Sequence, residues 1–306
     1  MQGGERYNSI SNCLKSEFGR KTVKLSIDAG FTCPNRDGSL GFGGCAFCSG
    51  GGSGELAAHA VSEGHGIRES ITEQIDRLSA KWPEACYLAY FQSFTNTYAP
   101  VDILRERYYA ALEDPRISGI AIATRPDCLG SDVLDLLEEI NRDHYLWVEL
   151  GLQSIHDCTL KAMNTCYTAA DYDSAAHALA ERGIRTVTHL ILGLPGESRE
   201  MMLESVKHVC AEPVFGMKLH LMNVIKTSPL YLTMPDYVPF GSIEEYVDLV
   251  VRCLEVIPPE VTIHRLTGDV PRKLLVSPEW SYRKRTILNA INRELVLRDT
   301  WQGRAL

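Results

Sequence analysis

Apolar and polar positions follow two alternating regimes along this chain. Short, nearly continuous apolar runs read as strands buried on both faces: KTVKLSIDA (21–29), CYLAYFQ (86–92), GIAIAT (119–124), LWVELGL (146–152), TVTHLIL (186–192) and GMKLHLM (216–222), with VTIHRL (261–266) as a seventh. Between them, segments near 66–81, 101–113, 131–142, 169–183, 198–211 and 243–257 carry apolar residues at helical spacing. Ser131 before DVLDLLEEI and Ser242 before IEEYVDLVV are expected to cap their helices, and ERGIR and EVIPPE mark helix ends. Strand, helix and strand in repetition predict parallel pairing under a layer of helices. With no composition break in the series, one domain is expected, comprising a lead (1–20), a β/α unit (21–260) and a C-terminal strand-and-helix extension packed on it (261–306).

An open doubly wound sheet and a partial β/α barrel share this alternation, and periodicity does not separate them. Chemically capable residues crowd at the predicted strand C-termini: Gln92, Thr124 to Asp127, Glu149 to Ser154, His189, and Lys218 to Asn223. A barrel brings all those ends to one mouth, whereas an open sheet uses only its switch point. The crowding favours the α/β partial barrel.

Composition narrows the setting. A chain of 306 residues with 45% hydrophobic content can fill a sizeable core. No window approaches eighteen consecutive apolar residues, and MQGGERYNSISNC has neither signal-peptide nor presequence character, so a cytoplasmic protein without a membrane partner is expected. Ten cysteines spread through such a chain read as reduced thiols. The net charge of −8 argues against a general nucleic-acid coat, but from His264 to Leu306 nine Lys or Arg face four Asp or Glu. That end of the chain is suited either to meeting a polyanion or to forming a solvated helix surface.

The segment FTCPNRDGSLGFGGCAFCSGGGSG (31–54) holds three cysteines and eight glycines, spaced Cys33-x11-Cys45-x2-Cys48. Two cysteines two residues apart grip one metal centre from a tight turn, and glycines permit the wrapping that returns the third. Three thiolates on a four-iron cube leave one iron open to a ligand. A zinc ion closed by His59 or His65 is the competing reading, in which the loop is purely structural. Spacing alone leaves both open.

The full phrase CPNRDGSLGFGGCAFC resembles the radical S-adenosylmethionine (SAM) superfamily, within it the subgroup related to the catalytic subunit of elongator. AYFQSFTNTYAP, IATRPDCL, YLWVELGLQSIHD, HLILGLPGES, KLHLMNVIKTSP and IPPEVTIHRLTGD extend the likeness to the bacterial YtqA/YhcC family, nearer its YtqA branch, also called MnmL, across about residues 5–300. The resemblance implies a partial (β/α)6-type barrel with a C-terminal strand and helix. It also implies a 4Fe-4S cluster on Cys33, Cys45 and Cys48, and reductive cleavage of SAM to a 5'-deoxyadenosyl radical. Phe47 and the backbone around Met222 and Asn223 would meet the adenine; Gln92, Thr124, Gln153 and His189 would hold the rest of SAM. Arg125, Asp127, Glu149, Lys218, His220, Lys226, His264 and Arg265 remain as a polar ring for substrate, although structural ion pairs would look the same in sequence. Close relatives often carry Asn-Arg-x-His after the fourth strand, where this chain reads Asn164-Thr165-Cys166-Tyr167, and Arg125 is the candidate to replace the missing cation.

The same resemblance implies a transfer-RNA substrate. Carboxymethylaminomethyl-2-thiouridine at the wobble position would be converted toward the aminomethyl or methylaminomethyl form. A flavodoxin- or ferredoxin-type electron donor and a downstream methyltransferase would be partners. Arg272-Lys273 and Arg283-Lys284-Arg285, interleaved with Trp280, Tyr282 and Trp301, are expected to touch phosphates and stack a base. The alternatives are radical chemistry on a small metabolite or a protein, and the non-catalytic zinc protein.

Overall fold

In the computed structural model, which describes residues 5–52, 54, 57–59 and 66–306, the chain starts with α1 (Ile10–Phe18), closed by Gly19 at φ 68°. Next come β1 (Thr22–Asp28), the two-residue β2 (Ala58–His59), α2 (Ile67–Ser79), β3 (Cys86–Phe91), α3 (Val101–Leu112), β4 (Ile117–Thr124), α4 (Ser131–Asp143) and β5 (Tyr145–Gln153). The second half holds α5 (Asp157–Ala162), α6 (Ala169–Glu181), β6 (Arg185–Leu192), α7 (Arg199–Ala211) and β7 (Gly216–Leu221). It ends with β8 (Val224–Ile225), α8 (Pro229–Thr233), α9 (Ile243–Val256), β9 (Thr262–Arg265), β10 (Leu275–Ser277) and α10 (Lys284–Leu297).

One sheet takes the order β2-β1-β3-β4-β5-β6-β7-β9, parallel at every pairing. An almost sequential order with parallel strands requires every crossover to run on the same side, so the helices cover one face and the sheet curls around the other. Its edge strands do not pair with each other among the described residues, which makes the curl a partial barrel. The seventh predicted strand joins this sheet directly, with Gly216 opposite Thr262. Beyond it, α10 buries Ile287, Ile291 and Leu295 beside α9. β8 and β10 form a separate antiparallel pair.

Alternation along the strands sorts side chains into two cores. Leu25, Ile27, Tyr87, Phe91, Ile120, Ile122, Val148 and Leu150 point outward into one apolar layer with the helices. Leu88, Tyr90, Ala121, Trp147 and Val187 point inward and meet Leu14 of α1. The polar lead therefore conceals a short amphipathic helix that plugs the barrel at the N-terminal end of its strands. Each large side chain buried there stabilises by about 1.5–3 kcal/mol.

Ser242 caps α9, its hydroxyl accepting from the Glu245 amide at 3.1 Å. Ser131 does not cap α4. It is already the first helical residue, and Gly130 occupies the cap position without any side-chain bond. Among the described residues no helix is long and apolar enough to cross a membrane.

Candidate functional site at the barrel mouth

The glycine-rich thiol loop leaves β1 and folds over the C-terminal ends of the strands. Cys33 starts a tight turn, its carbonyl accepting from the amides of Arg36 and Asp37 at 2.8 and 3.2 Å. Cys45 and Cys48 share a second turn, amide to carbonyl at 3.0 Å. Gly43 and Gly44, both at φ 79°, take backbone angles that a side chain would strain, and a Cβ on Gly44 would lie 2.8 Å from Arg36 Nε. Two bonds pin the loop to the frame, from the Ala46 amide to the Met163 carbonyl (2.8 Å) and from the Leu230 amide to the Ala46 carbonyl (2.9 Å). Asn35 Nδ2 bonds the Asn164 carbonyl and lies 3.6 Å from Cys45 Sγ.

All three cysteines line a cavity of about 250 Å³ at this mouth. Phe47, Gln92, Thr124, Gln153, His189, Met222 and Asn223 line it too, as do Arg125, Glu149, His220 and Arg265. The other four residues of the expected polar ring stand elsewhere. Asp127 lies behind Arg125, holding its guanidinium with two bonds of 2.9 and 2.6 Å. Lys218 is buried beneath the cavity floor. His264 sits edge-on to Trp147 and Phe215, with Nε2 3.0 Å from Thr262 Oγ1. Lys226 is exposed next to β10, its amide bonded to the Leu274 carbonyl.

The walls divide by chemistry. Phe47, Ile191 and Met222 form an apolar side. Beside it Asn223 Oδ1 and His220 Nε2 are buried without a hydrogen-bond partner, an arrangement that a bound polar ligand relieves. Gln153 sits at φ 72° where the β5–β6 register shifts, and Gly151 makes room for its amide, since a Cβ there would meet Gln153 Nε2 at 2.7 Å. Arg36, Tyr90 and Tyr167 also line the cavity and were not singled out from the sequence. Tyr90 lies two residues before Gln92 on the same strand face, a signal that strand alternation carries.

Residues 33–209 match the family described as the Radical SAM superfamily, and residues 214–296 match the Radical SAM C-terminal domain. This chain belongs to the radical SAM superfamily. YtqA of Bacillus subtilis is 43% identical over 305 residues, covering 98% of this chain and 92% of that protein. YhcC of Escherichia coli is 34% identical, covering 96% and 94%. Among solved structures, the archaeal Elp3 of Methanocaldococcus infernus superposes with a TM-score of 0.65 at 17% identity, a likeness of fold, over 89% of this chain and 63% of that one.

Radical SAM members carry a 4Fe-4S cluster, and the loop's donor set suits a cube better than one zinc ion. Zinc–sulfur bonds of about 2.3 Å would draw the sulfurs to about 3.8 Å from one another. Among the described residues these three sulfurs do not gather within 4.8 Å of one another. His65 lies outside the described residues, as does the side chain of His59, so neither competing zinc ligand is placed. The Cys45 thiol is pushed well above its usual range, first by its hydrogen bond with Cys48 and then by burial, while Arg125 and Asn35 pull it down.

Thr165, where the resemblance led to the expectation of an arginine, is fully buried, and its hydroxyl donates to the carbonyls of Leu160 and Tyr167, each at 3.2 Å. Asn164 and Cys166 flank it at φ 53° and 63°. This corner holds the loop together and offers no cation to the cavity. Arg125 does, 4.9 Å from the Tyr167 ring and close enough to Cys45 and Cys33 for each to favour its charge.

Below the radical SAM mouth lies a network of buried charge. The fully buried Glu149 carboxylate accepts from Lys218 Nζ, from His189 Nε2 at 3.0 Å, from Trp147 Nε1 at 3.1 Å and from Lys24 Nζ at 3.5 Å. Burial alone would raise its pKa, but Lys218 and then Lys24 hold it well below the usual carboxylate range. Lys218 also donates to the Tyr90 hydroxyl at 3.2 Å. His189 is held down to about 4, first by burial and then by Lys218, against the pull of Glu149. His220 and His264 are likewise pushed well down, chiefly by burial.

These histidines set an acid limit on stability. Each has a folded pKa below its unfolded value of about 6.5, so on acidification the unfolded chain takes up protons first. Stability is full above about 6.5 and falls from there toward about 4, at up to about 1.4 kcal/mol per pH unit per histidine. Glu149 adds nothing in that window, since its loss begins only below about 4.3. Urea unfolding of the cluster-free protein is expected to give midpoints that drop between pH 7.5 and 5, with a shallower drop for His189→Gln. A flat wild-type profile would refute the reading.

Proposed function

We propose that this radical SAM enzyme binds a 4Fe-4S cluster through Cys33, Cys45 and Cys48, cleaves SAM in the cavity they line, and modifies the wobble uridine of transfer RNA. Carboxymethylaminomethyl-2-thiouridine would go toward its aminomethyl or methylaminomethyl form, with a methyltransferase acting afterwards. Held by Cys33, Cys45 and Cys48, a cluster would supply reductive cleavage of SAM to a hydrogen-abstracting radical, with its electron coming from a flavodoxin- or ferredoxin-type donor. The chain positions and shields that chemistry. Asn223 and the apolar wall of Phe47, Ile191 and Met222 receive the adenine, Gln153 and Gln92 donate to the amino-acid end, and Arg125 offers its carboxylate a cation in place of the arginine missing at Thr165.

The observation that carries the reading is the meeting of three thiols, a cation and partnerless polar atoms in one cavity under a basic rim. Arg265 and Asp269 line that cavity, and Lys284 Nζ pairs with Asp269 at 2.9 Å, which brings the start of α10 to the rim. Next to it the exposed Tyr282 ring lies between Arg272 at 4.4 Å and Arg283 at 5.6 Å. A guanidinium–aromatic stack of this kind suits a splayed nucleotide and its phosphates. The two tryptophans expected beside it play no such part. Trp280 packs 6.1 Å from Tyr246, and Trp301 lies next to Gln302 and Gly303, whose amides bond Arg6 and Leu254 at the N-terminal side of the strands.

Nucleoside mass spectrometry of transfer RNA with and without the gene tests the substrate. Deletion is expected to accumulate carboxymethylaminomethyl-2-thiouridine several-fold and to deplete the aminomethyl and methylaminomethyl forms, and complementation with an Arg272→Glu/Arg283→Glu variant is expected to restore less than the wild type does. An unchanged wobble-uridine profile in the deletion strain would remove transfer RNA as the substrate while leaving SAM cleavage standing.

A further inference from the structure

We propose a second metal site, for one divalent transition ion of the zinc class, between α6 and α7 on the outside of the barrel wall. Asp173 and His177 stand four residues apart on α6, and His208 stands four residues before Glu212 at the end of α7. That spacing sets each pair on one helix face. The two faces meet, for His208 Nε2 lies 2.7 Å from Asp173 Oδ1, and ligand atoms of Asp173, His208 and Glu212 all lie within 4.8 Å of one another. His177 Nδ1 stands 3.2 Å from Glu212 Oε2 but donates to the Asp173 carbonyl at 2.9 Å, so it borders the site without serving as a ligand. One imidazole and two carboxylates, with water completing the shell, form a set that zinc and its neighbours in the transition series accept.

The electrostatics call for a cation there. Among the described residues neither Asp173 nor Glu212 is paired with a lysine or arginine; their ion-pair contacts are His208 and His177. An imidazole is a weak counter-charge near neutral pH. Glu212 Oε2 is moreover buried with no hydrogen-bond donor, a state that is costly for a carboxylate oxygen. A divalent ion answers both deficits. With metal–ligand bonds of about 2.0–2.2 Å, the donors would stand about 3.3 Å apart, so binding parts His208 and Asp173 slightly and draws the wider pairs together.

The site is separate from the thiol loop, and none of Asp173, His208 and Glu212 lines the cavity. It ties α6 and α7 together across β6, the strand that carries His189 and Ile191 to the mouth. Its predicted consequence is stability, independent of the chemistry within.

The test is an anaerobic titration of the untagged, cluster-loaded protein with zinc chloride, followed by calorimetry and thermal unfolding. Cluster loading occupies the thiols that would otherwise compete. One equivalent per chain is expected, with an unfolding temperature that rises with zinc concentration. Asp173→Asn and His208→Gln should each weaken binding by at least about tenfold while SAM cleavage stays unchanged. If either variant folds poorly, the other preserves the comparison, with far-UV circular dichroism as the check. Absence of zinc binding by the wild type, or an affinity unaltered in the folded variants, would overturn the proposal.

Discussion

Cys45→Ala protein, purified anaerobically, is expected to be colourless and to form no 5'-deoxyadenosine from SAM and dithionite, a loss on the order of a thousandfold or more against the wild type. The size follows from the chemistry: no side chain among those lining the cavity substitutes for the electron that the cluster delivers, and every tenfold in rate is about 1.4 kcal/mol of barrier. The fold should survive. The substitution removes one buried sulfur, and Asn35, which approaches it, keeps its bond to the Asn164 carbonyl. Cys253→Ala is the control, since Cys253 is equally buried but belongs to the outer core on α9. It should lose some stability and no colour. Wild-type protein that is colourless and replete with zinc after anaerobic purification would defeat the enzymatic reading, and so would a Cys45→Ala variant that still cleaves SAM.

The second large effect is on stability. Glu149→Leu is expected to cost about 3–5 kcal/mol at pH 7.5, because it strands Lys218 in the barrel without a counter-charge. Lys218 is only 1% exposed, so its ammonium has no route to water, whereas Lys24, at 28% side-chain exposure, can turn outward. Lys218→Met should cost less. It leaves Glu149 with Lys24, His189 and Trp147, three of its four partners. The double variant should recover much of the loss, since replacing a whole buried pair by apolar groups is often close to neutral. Against a typical total of about 5–15 kcal/mol, the single Glu149 change is the difference between a folded and a marginal protein. Urea midpoints of the four proteins complete a double-mutant cycle. A Glu149→Leu cost below about 1 kcal/mol would show that water reaches the floor and that the network is not a structural one.

Much of the site was legible because it rests on local rules. The thiol loop is contiguous in sequence, and its glycines and C-x-x-C turn state their purpose without reference to the rest of the chain. The strand-end residues were legible because parallel β/α units place every strand C-terminus at one mouth. Depth within the barrel was not legible. Alternation along β7 assigns Lys218, His220 and Met222 to the inner face, yet the latter two line the cavity and Lys218 lies under it. His264 follows the same logic on β9. Which inward residue becomes wall and which becomes floor depends on strand stagger and barrel tilt, and these are properties of the closed sheet. α1 escaped notice because a nine-residue helix buries too narrow an apolar stripe to stand out among polar neighbours.

The sequence by itself determined the repeated β/α order, the single inward-facing mouth, the three closely spaced thiols and the family. These depend on periodicity, on residue spacing over a few positions and on motif identity, all of which are written along one dimension. Only the tertiary structure decided that Thr165 is a buried corner while Arg125 stands by the thiols, and that Glu149 is the centre of a four-partner charge network. It alone brought the Tyr282 stack to the rim and carried Trp301 away from it, and joined two helix faces into a candidate metal site. Those facts arise from contacts between residues tens to hundreds of positions apart, and burial and counter-charge, which set both pKa and stability, exist only once such contacts have formed.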